Sequence, residues 1–207
     1  MTRFLQVAFI GLLAGVLAAA GSTGPPPTTY VFQSSPNEMN VEGGSTLHDW
    51  RCPIESLDGR LRAETSQTDS SGAPGTIEKV QVAVPVDAIT CDKDTMNEKL
   101  REALKMNAYP KVYFSLADAQ VSPLPDSGAA WFKVQATGEL ILAGKRRQIK
   151  LPVTGRLLDN GNLRLVGSHT IRLSDYNIDR PSAMLGTIKT SKKVTVNFDV
   201  TAAPETR

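Results

Sequence analysis

Val80, Val82, Val84 and Val86 fall on alternate positions, with polar or small residues between them. The same period of two recurs at Val112, Phe114 and Leu116. It returns at Phe132, Val134, Ala136, Gly138, Leu140 and Leu142, and again at Ile149, Leu151 and Val153. Leu163, Leu165, Ile171 and Leu173 continue it, and Val194, Val196, Phe198 and Val200 close it. Neighbouring side chains on an extended chain point to opposite faces, so this pattern buries one face of each strand. Rougher extended stretches precede it at Tyr30–Ser34, Met39–Val41 and Ser45–Cys52, and around Leu57–Ala63.

Turn chemistry separates these runs. Gly43-Gly44 is read as a break between two early strands. Ala143-Gly144-Lys145-Arg146 and Asp159-Asn160-Gly161-Asn162 divide later ones, and Asn-Gly is a strong hairpin signal. Consecutive strands joined by short polar turns make an antiparallel meander. About eight such strands protect their edges best by closing into a barrel. The expected fold is therefore an all-β, antiparallel barrel of about eight strands.

One segment has helical periodicity. Thr95-Met96-Asn97-Glu98 has the form of a capping box, and Met96, Leu100, Ala103 and Leu104 share the face that follows. Pro110 disfavours helical geometry at Tyr109, so the helix is expected to end near Asn107 and to cap one end of the barrel. The stretch Ser174–Lys193 is long for a loop and carries Ile178, Met184 and Leu185. It reads either as a lid over the barrel mouth or as an unrecognised strand around Ala183–Thr190.

The beginning of the chain points to export. Arg3 precedes an apolar run from Phe4 to Ala20 that ends on Ala18-Ala19-Ala20. A charged start, an apolar middle and a small-residue end describe a signal peptide over residues 1–20 and a periplasmic or secreted product. The run is also about the shortest that spans a bilayer, so an uncleaved anchor is the alternative. Residues 21–28, rich in Gly, Ser, Thr and Pro, are a linker. The domain is placed at 29–203, with a tail at 204–207.

Charge excludes one class of partner. The chain has 23 Lys and Arg against 21 Asp and Glu, and only 6% aromatic residues. So small a net charge and so few aromatics argue against nucleic acid as the main partner, because binding it calls for clustered cations or a stacking platform. The basic groups Lys145-Arg146-Arg147 and Lys189, Lys192 and Lys193 read as solvated turns, or as points of contact with a membrane surface.

Catalysis finds little footing. His48 and His169 are the two histidines, and adjacent strand residues face opposite ways, so Asp49 cannot orient His48. No G-x-S-x-G elbow or Gly-rich phosphate loop occurs. The two cysteines, Cys52 and Cys91, are an even count, which favours a disulfide in an oxidising compartment; two buried free thiols are the other reading. A zinc site from Cys52, Cys91, His48 and His169 lacks the short paired spacings such sites use. No metal or other cofactor is expected.

Strand parity selects the residues that face the interior: His48, Trp50, Phe114, Val134, Leu140, His169, Ile171 and Phe198. Each imidazole is then either a hydrogen-bonded core group or a polar anchor for the head of an apolar ligand.

Several pieces together carry a family resemblance. They are Ser45-Thr46-Leu47-His48-Asp49-Trp50, Val84-Pro85-Val86 and Met96-Asn97-Glu98-Lys99 through Ala103-Leu104-Lys105. Tyr109-Pro110-Lys111-Val112-Tyr113-Phe114 and Gly138 through Arg147 follow, then Ser174-Asp175-Tyr176 and the strand through Phe198. In this order they resemble the YceI-like family of periplasmic polyisoprenoid-binding proteins, in its His-Asp-Trp branch. Asn177 stands where that family often has glycine. The resemblance implies a lipocalin-like barrel whose bore holds a long isoprenoid chain. The function expected is non-catalytic binding or transport of an isoprenoid quinone, polyprenyl lipid or similar amphiphile in the cell envelope. The alternative is an envelope interaction module with a filled core and no ligand.

Overall fold

The computed structural model describes residues 26–33, 38–65, 73–124, 131–183 and 188–205. The expected signal segment, Met184 and Leu185 lie outside them. The described chain forms eleven strands: β1 (Thr28–Phe32), β2 (Glu38–Ser45), β3 (Asp49–Pro53), β4 (Asp58–Glu64), β5 (Thr76–Pro85) and β6 (Lys111–Pro123). After them come β7 (Trp131–Leu142), β8 (Lys145–Leu157), β9 (Leu163–Arg172), β10 (Ser182–Ala183) and β11 (Ile188–Pro204). Helix α1 (Asp94–Ala103) lies between β5 and β6. Among the described residues no helix is long and apolar enough to cross a membrane.

Eight strands close an antiparallel ring in the order β1, β4, β5, β6, β7, β8, β9, β11 and back to β1. The closing register sets Tyr30 opposite Pro204 and Phe32 opposite Ala202. Thr28 and Pro204 both sit in strands, so pairing runs one residue past each expected domain limit. Two hairpins form where the turn residues stand. Ala143 and Gly144 both take positive φ between Leu142 and Lys145, and Gly161 takes φ 81° between β8 and β9. Positive φ at both central residues matches the twist of the flanking strands.

β11 is shared between two walls. Its last residues pair with β1, while Thr190–Asp199 pair with β2, which in turn pairs with β3. The far edge of β3 meets no further strand among the described residues. Ile54 makes a single bridge to Ile89 there, and Cys52 is bonded to Cys91. The disulfide expected from the cysteine count thus ties the β3 edge to the segment leading into α1.

Two expectations are corrected at this edge. Gly43 and Gly44 belong to β2, and the break falls at Ser45–His48, where Ser45 N–H donates to the His48 carbonyl and the Ser45 hydroxyl accepts from the amides of Leu47 and His48. Gly43 is needed for closeness: a Cβ there would lie 2.5 Å from the indole of Trp50, its partner across the ladder. The strand expected from Ser45 therefore starts at Asp49.

The helix is also corrected at both ends. Its N-cap is Lys93, with no side-chain cap, and Thr95 lies inside the first turn. The Asn97 amide exchanges two hydrogen bonds with the backbone of Cys91, which fixes the approach that a capping box would have set. The helix stops at Ala103 because Lys105 turns to φ 56°, with the amides of Lys105 and Met106 donating to the carbonyls of Glu102 and Arg101. This is a Schellman ending with lysine in place of glycine.

Candidate functional site: an apolar bore

The inward side chains do not fill the barrel evenly. Around the ends of β1, β4, β7, β9 and β11, Phe132, Leu61, Leu163, Ala63 and Ala202 pack with almost no exposure. Towards the other end, where α1 and the Ser45–His48 turn lie, opposing walls stand apart and leave a cavity of about 460 Å³. Its wall is almost wholly apolar. Cross-strand register arranges it in belts: His169, Val196, Val41 and Cys52 stand side by side on β9, β11, β2 and β3, with Ile171, Val194, Gly43 and Trp50 one belt nearer the mouth. Phe114 faces Leu140 across β6 and β7.

Six of the eight residues chosen by parity line this bore from inside: Trp50, Phe114, Leu140, His169, Ile171 and Phe198. The Trp50 indole N–H donates to the Gly44 carbonyl at 3.2 Å, so the ring offers the bore an apolar face. His48 also borders the cavity, but its placement is corrected: it sits exposed on the turn at the mouth instead of inside a strand, and its Nδ1 lies 2.7 Å from the backbone oxygen of Asp49. Val134 is also corrected. It is buried among Phe132, Val121 and their neighbours at the packed end and takes no part in the lining.

His169 is the polar group set deepest among apolar neighbours. Its ring has no hydrogen-bond partner among the described residues, and burial lowers its pKa from the usual 6.5, so it is neutral at pH 7. A neutral imidazole carries one donor and one acceptor. Ser45, His48, Lys93, Thr95 and Lys99 add polar lining on the turn and helix at the mouth.

Sequence reasoning gave α1 a packing role and overlooked its part in the wall. Met96, Leu100, Ala103 and Leu104, the face picked out by periodicity, line the bore. In the 174–193 stretch the reading of an unrecognised strand is met in part. Leu173–Tyr176 forms a 3-10 turn, Asn177 takes the left-handed conformation at φ 53°, and Ile178 is buried. Asparagine tolerates that conformation better than most residues, which explains how it stands in for glycine. Ser182 and Ala183 then pair with Lys189 and Ile188, and Pro181, Ser182 and Thr190 border the cavity. No three His, Cys, Asp or Glu side chains gather as a metal site among the described residues.

A closed antiparallel barrel with one helix and an apolar interior cavity defines a protein of the lipocalin-like fold class. The chain belongs to the YceI-like domain family, matching it over residues 32–202. No curated protein sequence matches it. Among solved structures it is similar to BcnA of Burkholderia cenocepacia, with a TM-score of 0.62 and 14% identity over 83% of this chain and 99% of that one. It is also similar to a polyisoprenoid binding domain from Saccharophagus degradans implicated in plant cell wall breakdown, with a TM-score of 0.63 and 14% identity over 86% and 99% of the two chains. The YceI protein of Campylobacter jejuni is similar too, with a TM-score of 0.55 and 16% identity over 74% and 84%.

Proposed function

We propose that this protein is a non-catalytic carrier of a long-chain apolar amphiphile, of the polyisoprenoid class, outside the cytoplasm. The observation that carries this reading is the bore itself, an apolar cavity of about 460 Å³ inside a closed barrel. That volume falls within the range of small-molecule sites, roughly 300–1,000 Å³. Each methylene moved from water into such a lining contributes about 0.8 kcal/mol, so a few prenyl units suffice for stable binding. Trp50, Phe114, Leu140, Ile171 and Phe198 would hold the chain, and His169 would meet a polar group along it. His48 would contact the ligand at the mouth. The disulfide supports an oxidising compartment. The basic turn at Lys145–Arg147 and the lysines of early β11 lie at the hollow end, the face assigned here to transient contact with a membrane surface.

The test is lipid extraction and native mass spectrometry of protein purified from the envelope of its own cells. A co-purifying prenyl species at near one per chain is the expected result. A reproducibly empty protein that also fails to take up farnesol would favour the interaction module instead.

A further inference from the structure

The wall between β8 and β9 is incomplete. The two strands pair from Leu157 opposite Leu163 to Val153 opposite Gly167, and there the ladder stops. Towards the mouth, Lys145–Pro152 remain paired with β7, and Ser168–Arg172 remain paired with β11, but not with one another. Had the ladder continued, Lys150 would face Thr170. The strands instead diverge as a fork, with Val153 and Gly167 at its base.

A second depression, of about 600 Å³, lies on the outer face at the base of this fork. Its wall includes Gln135, Pro152, Thr154, Ser168 and Asn197. The arms of the fork also reach inward, where Leu151 and His169 line the bore. Phe198 borders both cavities. Its ring rests against Gly167, where a Cβ would come within 2.5 Å of it. Phe198 is the residue common to the two linings, and a side chain can change rotamer where a ladder of backbone hydrogen bonds cannot.

We propose that the β8–β9 fork is a side portal, shuttered by Phe198, through which the amphiphile loads and its polar end comes to rest in the outer depression. The inference rests on the carrier reading above. The chemistry of the depression selects the head group. Carboxamides of Gln135 and Asn197 and hydroxyls of Thr154 and Ser168 offer both donors and acceptors, while Arg51 pairs with Glu42 and Asp199 with Arg164, which leaves Lys133 and Glu38 as opposite charges in the lining. That balance suits a neutral hydroxyl or carbonyl head better than a phosphate, which draws clustered cations. Along the arms, the ladder-facing backbone groups have no strand partner, so they too are open to a polar head.

The experiment measures farnesol association and dissociation on the full chain by stopped-flow tryptophan fluorescence, with Trp50 as the reporter in the bore. Ser168→Phe places a bulky ring in the depression without touching the bore. It is expected to slow association by about five-fold or more and, because it also displaces the polar head, to weaken Kd. Phe198→Ala is expected to speed both association and dissociation. An association rate for Ser168→Phe within about two-fold of the unaltered protein would overturn the portal. A wild-type protein with no saturable signal would instead overturn the carrier reading, and the portal with it. Circular dichroism of each variant separates lost folding from altered passage.

Discussion

The two ends of this barrel are built from the same strands with the same alternation, yet one is solid and the other hollow. Val134 and Leu140 show the contrast most directly. They lie on one face of β7, six positions apart, and both are nearly inaccessible, at 3% and 8%. Val134 sits opposite Val121 and packs with Phe132, whereas Leu140 belongs to a second cluster with Ile171 and Val194 and also lines the cavity. Alternation decides which way a side chain points. What it meets there depends on how far the opposite wall stands, and on that α1 and the β3 edge have the final say.

The contrast breaks most sharply at Phe132, which has no exposure at all. Phe132→Ala should destabilise the protein by about 3–5 kcal/mol in urea unfolding, because the packed end cannot collapse around the void. Leu140→Ala, at the hollow end, should cost about 2 kcal/mol or less, since its neighbours already border a cavity. Equal losses at the two sites would mean that the bore is closed in solution.

Removing the disulfide comes next. Cys91→Ser with Cys52→Ser frees a 39-residue separation, and the chain-entropy treatment gives a loss of roughly 4 kcal/mol, with measured cases more often about 2–4. The loss should also loosen the hollow end selectively. Hydrogen exchange at Ile89–Leu104 should rise well before exchange at Phe132 or Leu163 does, and a uniform rise would contradict the division into two regions.

The smallest effect concerns pH. Burial lowers the pKa of His169 in the folded protein, so between that value and 6.5 the unfolded chain binds more protons than the folded one. Stability from this source is complete above about pH 6.5 and falls as pH drops below it. Ligand in the bore should deepen the decline, because it removes the remaining water from the ring. His169→Gln should flatten this part of the pH profile in thermal unfolding, and an unchanged slope would place the ring in water.

Much of the fold was legible because it rests on a period of two. The inward faces of β5 to β9 and β11 follow it, and the hairpins at Ala143-Gly144 and Asn160-Gly161 stand where their residues announce them. The early strands were harder to read for a physical reason. In β2, glycine serves ring packing instead of turning, so Gly43-Gly44 gave a false break and carried His48 into a strand it does not occupy. The site was legible in direction but not in depth. Parity brought Trp50, Phe114, Leu140, His169, Ile171 and Phe198 to the interior, while nothing local could report that Val134 lies against a partner. The wall contributed by α1 was visible as an amphipathic face, but its role depends on a gap between strands that only the full topology creates.

The seam between β1 and β11 carries a further meaning, for the order of events as the molecule takes shape. Tyr30 pairs with Leu61 on one side and with Pro204 on the other, so the ring cannot be sealed until nearly the whole domain has been made. Contacts so distant along the sequence assemble slowly, on the scale of milliseconds to seconds for β-rich domains. A polypeptide that stays open until its last strand arrives remains threadable in the meantime, which would suit the carrier outside the cytoplasm proposed above.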